Sequence, residues 1–389
     1  MSQRSTNSVI ENFQESIFSR MSALAIKHEA INLAQGFPDF EGPQWMVDLV
    51  AASFLKKKNQ YMPSMGLFDL RESVSQFYQK FYQTTYAPTN QILITQGATE
   101  AIYLACQALL NPGDEAIIFA PYYDSYPASI LMAGGVPIVV QLLAPDFSLK
   151  MDAIRKVCTR QTKMLILNSP HNPTGRVFTS AEILEIVELS IEFDFYIVSD
   201  EVYEFITFES KFKSIADIEE VKDRVIRISS VGKTLSFTGW KLGWAVGPSK
   251  IIRAMHLAHQ FINFCVPGPI QVAVASILIS FDKYLVEMQS MYREKRDFFI
   301  QEIEKRGAKV LVPEGSYFVL VKVPNNHEMG ALGDFIFCEK MVVDLKLAAI
   351  PISAFYPDET YENGYVRFCF AKEKTTLQDG AQRFPQGKI

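Results

Sequence analysis

Between residues 90 and 250, six short apolar runs recur, each separated from the next by a stretch with helical patterning. They read QILIT (91–95), EAIIFA (115–120), PIVVQL (137–142), KMLILN (163–168), FYIVS (195–199) and RVIRIS (224–229). The runs are continuous and do not alternate between apolar and polar, the pattern of strands covered on both faces. Strand–helix–strand repetition leaves few folds open: a mainly parallel sheet with right-handed crossovers and helices on its faces. One intervening segment, TSAEILEIVELSIEF (179–193), carries the helix signature directly. Thr179 and Glu182 have capping-box spacing, and Ile183, Val187 and Ile191 are predicted to share one apolar stripe.

From about residue 281 the pattern changes to a long charged helix followed by mixed strands such as GSYFVLVKV and YVRFCFA. At 389 residues the chain is long enough for two domains with a large core. The expected division is an N-terminal arm over 1–45, a large α/β domain over 46–280 and a smaller α+β domain over 281–389. The arm contains the irregular NLAQGFPDFEGP and is expected to fold back onto the small domain. The final segment, DGAQRFPQGKI, should finish a helix, although it carries Gly380, Pro385 and Gly387.

Charge and cysteine usage exclude several function classes. Lys and Arg number 38 against 43 Asp and Glu, a net charge of −5, which argues against nucleic acid or an anionic membrane as partner. No apolar run is long enough to span a bilayer, and MSQRSTNSVIENF has no apolar signal core, so no export is expected. The five cysteines (106, 158, 265, 338 and 369) are scattered and odd in number, as expected of reduced residues in a cytoplasmic protein. No Cys or His cluster has zinc spacing, and His256 and His259 read as packing or surface residues on one helix, so no metal is expected.

In a parallel α/β sheet, ligands bind off the carboxyl ends of the strands. Here those ends carry QGATEA, PYYDSY, SPHNPTG, DEVYE and SVGKT. GKT suggests a nucleotide loop, but that pattern needs a glycine at position 227, where the chain has Arg227. GATEA offers free N–H groups and a hydroxyl at a helix N-terminus, expected near Thr99, suited to one phosphate, although on these residues alone a plain cap is the favoured reading. Asp200 ends a very apolar strand, where a carboxylate needs a cation or donors, or serves as a helix cap. Tyr203 follows on the same face if a helix starts there. Asn172 is held in a proline-punctuated loop in which His171 is scaffolding. Lys233 sits at the sheet's mouth, where apolar walls depress a lysine pKa and make it a nucleophile. Lys241 suits a fixed positive charge. Together these groups suit a small aromatic cation bearing a phosphate and an aldehyde, which is pyridoxal phosphate.

NLAQGFPDFEGP, NQYMPSMGLFDLR, TQGATEA, NSPHNPTG, SDEVYE, SSVGKTLSFTGWKLGW and VRFCFAKE occur in this order in the class I, fold type I pyridoxal-phosphate aminotransferases. The chain resembles them over its whole length, especially the bacterial methionine aminotransferases and the kynurenine aminotransferase/glutamine transaminase K group. The resemblance implies a mainly parallel seven-stranded sheet in the large domain. It implies Lys233 as the Schiff-base lysine and proton shuttle, Asp200 as partner of the pyridine nitrogen, and Asn172 and Tyr203 on the ring's phenolic oxygen. Tyr122 would stack on the ring. Ala98, Thr99, Ser230 and Lys241 would bind the phosphate, with Tyr61 reaching the phosphate of the neighbouring subunit in a homodimer. Arg367 would clamp the substrate carboxylate, assisted by Asn168, with the Gly36 backbone against the substrate.

The activity so implied is transfer of an amino group from an apolar or aromatic L-amino acid (methionine, phenylalanine, glutamine or kynurenine) to a 2-oxo acid by a ping-pong mechanism. No second arginine for a side-chain carboxylate is evident, so aspartate is a poorer substrate. A cysteine-conjugate or cystathionine β-lyase on the same fold, and more remotely an ATPase resting on GKT, are the alternatives.

Overall fold

The structure, a computed structural model, describes residues 6–56, 59–210, 212–324, 333–357 and 364–386. The last three residues of the C-terminal segment, Gly387 among them, lie outside the described residues; the segment forms a helix, Lys374–Arg383, that runs through Gly380.

After a short strand β1 (Ile31–Asn32), the six apolar runs form β2 (Ile92–Thr95), β3 (Glu115–Ala120), β4 (Val136–Gln141), β5 (Thr162–Asn168), β6 (Tyr196–Asp200) and β7 (Val225–Ser230). A strand not anticipated from hydrophobicity, β8 (Gly243–Val246), completes a seven-stranded sheet in the order β2-β8-β7-β6-β5-β3-β4. Neighbours from β4 through β3, β5 and β6 to β7 are parallel, whereas β8 runs antiparallel to both β7 and β2. GWAV is too short and too close to glycines to read as a strand. Gly243 is there because nothing larger fits: a Cβ would stand 2.8 Å from the Gly97 carbonyl carbon and 2.8 Å from the Ser229 oxygen. That close approach sets the β7–β8 turn directly against the entrance of the helix Gly97–Leu109.

The helix Ser180–Glu192 has the predicted reciprocal capping box between Thr179 and Glu182. The predicted stripe holds at Ile183 and Val187 but not at Ile191, which is 49% exposed. Each step of four residues advances the side chain roughly 40° beyond a full turn, so the third residue has rotated off the core. Ile186 and Leu189 fill the buried face in its place.

Arg227 is fully buried between the rings of Tyr78 and Tyr82, at 4.3 and 3.7 Å, and pairs with Glu201 (2.6 Å) and Glu204 (3.1 Å). It therefore anchors the back of the DEVYE segment, a structural role consistent with its disqualifying a phosphate loop.

A second sheet is antiparallel: β9 (Val310–Leu311), β10 (Phe318–Lys322), β12 (Ile350–Pro351) and β13 (Tyr365–Cys369), in the order β12-β13-β10-β9. The remaining strand, β11 (Leu347–Ala348), pairs in parallel with β1, and the Cys369 N–H donates to the Leu33 carbonyl at 2.8 Å. The N-terminal segment runs along β13 at Leu33 and Ala34, and a Cβ on Gly36 would stand 2.7 Å from the Phe318 ring of β10. Among the described residues no single helix is long and apolar enough to cross a membrane.

Candidate active site

A cavity of about 480 Å³ lies off the carboxyl ends of β5, β6 and β7. The expected residues Gly36, Ala98, Thr99, Asn168, Asn172, Asp200, Tyr203, Ser230, Lys233, Lys241 and Arg367 all line it. They arrive from the large sheet, the N-terminal segment and β13, so the two sheets and the arm close on one volume.

At one end the helix begins at Gly97, two residues before the expected start at Thr99, with Gly97 at a φ of +77°. A left-handed entry lets the chain turn from β2 straight into the helix, leaving the Ala98 and Thr99 N–H groups without helical acceptors. Lys241, itself at a φ of +45°, brings its ammonium over this entrance, 3.7 Å from where a Gly97 Cβ would be. Donors at a helix N-terminus with a lysine beside them form an anion site.

In the middle, Asp200 is buried, accepting from the Tyr126 hydroxyl at 2.6 Å and from the Val202 N–H at 3.4 Å. Burial raises its pKa, against the Tyr126 hydrogen bond and the charge on Lys233. A buried carboxylate with so few donors is suited to a cationic N–H arriving from the cavity. The Asp200 carbonyl accepts from Asn168 Nδ2 at 2.9 Å, and Asn168 Oδ1 accepts from the Asn172 N–H at 2.8 Å. Asn172 Oδ1 then accepts from Arg367 Nη1 at 2.8 Å. These bonds tie the ends of β5 and β6 to β13 in one chain.

Arg367 also donates from Nη2 to the Ala34 carbonyl at 2.9 Å, while its buried Nε has no partner. Its guanidinium lies 3.9 Å from the centre of the Phe318 ring, and burial pulls its pKa down to about 10. A charged, under-satisfied fork on an aromatic platform is prepared for a carboxylate. Lys233, on the four-residue helix Val231–Thr234, sits 3.4 Å from the Gly36 carbonyl. Desolvation pushes its pKa down to about 8, with Asp200 and Cys369 acting upward and Lys241 and Arg367 downward. His171 is buried, meets Thr174 Oγ1 at 2.8 Å and is held neutral by burial, its pKa pushed down to about 3, as scaffolding requires.

Two expected residues lie elsewhere. Tyr122 does not line the cavity: its N–H donates to the Phe355 carbonyl at 2.9 Å and its ring is buried in the core. In a non-helical segment consecutive side chains project to opposite sides, so Tyr123 takes the position expected of Tyr122. Its ring stands edge-on to Tyr126 at 5.7 Å, and its hydroxyl meets Thr99. Tyr61 is 84% exposed and outside this cavity, edge-on to Phe264 at 5.4 Å. Tyr126, Phe18 and Phe37 are lining residues that the sequence reading did not single out. Tyr126 was within sight in PYYDSY, three residues after the ring that faces the cavity; the two phenylalanines come from the arm, where no periodicity marks them.

The profile of the family "Aminotransferase class I and II" matches residues 28–384. The chain belongs to the class I and II aminotransferases. The aminotransferase is 36% identical to the methionine aminotransferase of Escherichia coli over 371 residues, covering 95% of each chain. It is 34% identical to the kynurenine–oxoglutarate transaminase of Dictyostelium discoideum, over 94% of this chain and 93% of that one. The structure of an N-succinyldiaminopimelate aminotransferase from Mycobacterium tuberculosis superposes with a TM-score of 0.93 at 34% identity, covering 97% of this chain and 99% of that one. Aminotransferases of this class depend on pyridoxal phosphate, and the cavity fits it. The anion site, the buried Asp200 carboxylate and the Lys233 amine match the phosphate, ring nitrogen and aldehyde of one small molecule. The GKT sequence forms the Lys233 helix with Thr234 buried, not a nucleotide loop.

Proposed function

We propose that this aminotransferase moves the amino group of an apolar or aromatic L-amino acid, of the methionine, phenylalanine, glutamine or kynurenine type, to a 2-oxo acid by a ping-pong mechanism. The observation that carries this reading is the distribution of charge around the cavity. Arg367 is the one arginine among the lining residues, and Phe18, Phe37, Ile102 and Phe318 make the surrounding wall apolar. One fork serves the α-carboxylate common to both substrates, and among the described residues lining the cavity no second cation is left for a side-chain carboxylate.

Each side chain then has a task. Lys233 would hold the cofactor through its aldehyde carbon, and its amine, when free, would take the substrate's α-proton and hold it for return. Its lowered pKa keeps a useful fraction of that amine neutral near pH 8. When bound, pyridoxal phosphate supplies the electron sink for the pair left by that proton. Asp200 would hold the proton on the ring nitrogen. Asn172 and Tyr203 would hold the ring oxygen, and Tyr123 would cover the ring face. Ala98, Thr99, Ser230 and Lys241 would hold the phosphate. Arg367 holds the substrate carboxylate with Asn168 beside it, and Gly36 forms the near wall.

We also read the enzyme as a homodimer in which Tyr61 reaches the partner's phosphate. The exposure of Tyr61 (84%) and of Phe261 (85%), close in sequence to Phe264, supports a covered face there. Five free thiols support a reducing, cytoplasmic setting.

The test is substrate preference in steady state with a common 2-oxo acid. The kcat/KM for L-methionine or L-phenylalanine is expected to exceed that for L-aspartate by roughly 10²-fold, the consequence of burying a carboxylate without a partner. A preference for aspartate would overturn the substrate class.

A further inference from the structure

Two phenols flank the Lys233 amine, and the reaction as described uses one of them. Its Nζ lies 5.9 Å from the centre of the Tyr203 ring and 5.4 Å from that of Tyr317. Tyr317 is fully buried immediately before β10. Its hydroxyl donates to the Gly36 carbonyl at 2.6 Å. The same carbonyl oxygen is the acceptor that Lys233 reaches at 3.4 Å. The Tyr317 ring also stands edge-on to Tyr203, with centroids 5.2 Å apart and planes at 84°, and the two hydroxyls interact. One buried side chain therefore touches the phenol assigned to the ring oxygen and the carbonyl that faces the lysine.

We propose that Tyr317 is a positioning residue for amino transfer, which occupies the Gly36 carbonyl so that this oxygen does not capture the Lys233 ammonium, and which braces Tyr203 edge-on. This rests on the reading of Lys233 as the amine that joins the cofactor. The two distances carry the argument. A bond of 2.6 Å is a full hydrogen bond, whereas 3.4 Å is at the limit of one. The phenol has the better claim on the oxygen, and the lysine is left loosely held. Without that O–H, the carbonyl keeps only its weak contact with Lys233, which is free to shorten. A charge-assisted bond would form, favouring the charged amine and fixing its position. The other groups facing Lys233 are Asp200 from β6, Arg367 and Cys369 from β13, Lys241, and the Tyr203 phenol. Removing only the Tyr317 hydroxyl leaves the charged groups among them in place and frees the Tyr203 hydroxyl of one partner.

Tyr317→Phe makes that removal and keeps the ring that packs on Tyr203 and, at 5.9 Å, on Tyr292. The experiment follows the rate at which apoprotein takes up pyridoxal phosphate covalently, by the near-visible absorption, from pH 6 to pH 10. In the natural protein the rate should climb through the range around the lysine's lowered pKa. In Tyr317→Phe the midpoint is expected to move up by about one pH unit, making uptake roughly tenfold slower at neutral pH, with the thermal midpoint little changed. A merely structural tyrosine would alter stability and leave the pH midpoint in place. An unchanged midpoint and rate in Tyr317→Phe, with the natural protein taking up the cofactor normally, would overturn this inference alone. Covalent uptake by Lys233→Ala, or none by the natural protein, would overturn the reading of Lys233 and this inference with it.

Discussion

Replacing Lys233 by alanine is expected to lower turnover by at least ~10⁴-fold while leaving the protein able to bind its cofactor. A positioned general acid–base group alone contributes roughly 10²–10⁴-fold. Lys233 has no substitute in this role: the other lining cations are Lys241, over the helix entrance, and Arg367, committed to Asn172 and the Ala34 carbonyl. Binding should survive, because the anion site at Ala98 and Thr99 and the Asp200 carboxylate are independent of the lysine. The measurement is kcat with L-methionine and a 2-oxo acid, together with the cofactor retained after desalting. Retention by this variant should be non-covalent and released by denaturation without borohydride-stable label. Turnover near that of the natural protein would remove Lys233 from the mechanism.

The second large effect concerns Arg367→Lys. The substitution keeps the charge and loses the planar fork, so its cost measures geometry more than charge. The kcat/KM for methionine is expected to fall by roughly 10²-fold, about 3 kcal/mol of transition-state binding. Because both half-reactions bind an α-carboxylate, the loss should appear equally for the amino acid and for the 2-oxo acid. A loss confined to one of them would mean that the two substrates do not share the clamp. The Arg367 guanidinium is also held by Asn172 and stacked on Phe318, and a lysine can replace neither contact with the same shape.

The strand ends announced most of this site because of how a parallel sheet is built. Residues at and beyond the ends of β5, β6 and β7 must emerge on one edge, so Asn172, Asp200 and Lys233 could be placed together from the run pattern alone. Arg367 could not: it comes from β13 in the second sheet, and only its family setting in VRFCFAKE marked it. Tyr122 and Tyr123 are adjacent tyrosines, and nothing in PYYDSY says which faces the cofactor; the hydrogen bond from Tyr122 to Phe355, 233 positions away, decides it. The strand β8 escaped notice because its four residues start at Gly243 and end against Gly247, where close backbone approach and not side-chain pattern dictates the sequence. Tyr317 was visible only as one aromatic in an apolar strand, and its partner Gly36 contributes a backbone oxygen that no sequence pattern reveals.

The most direct test of the central claim is one half-reaction: the holoenzyme mixed with L-methionine and no 2-oxo acid, followed by absorption and by product analysis. The account predicts that the near-visible band of the resting enzyme is lost, that one equivalent of the corresponding 2-oxo acid appears per active site, and that no ammonia is released. An unchanged band, or release of ammonia with continued turnover, would contradict it.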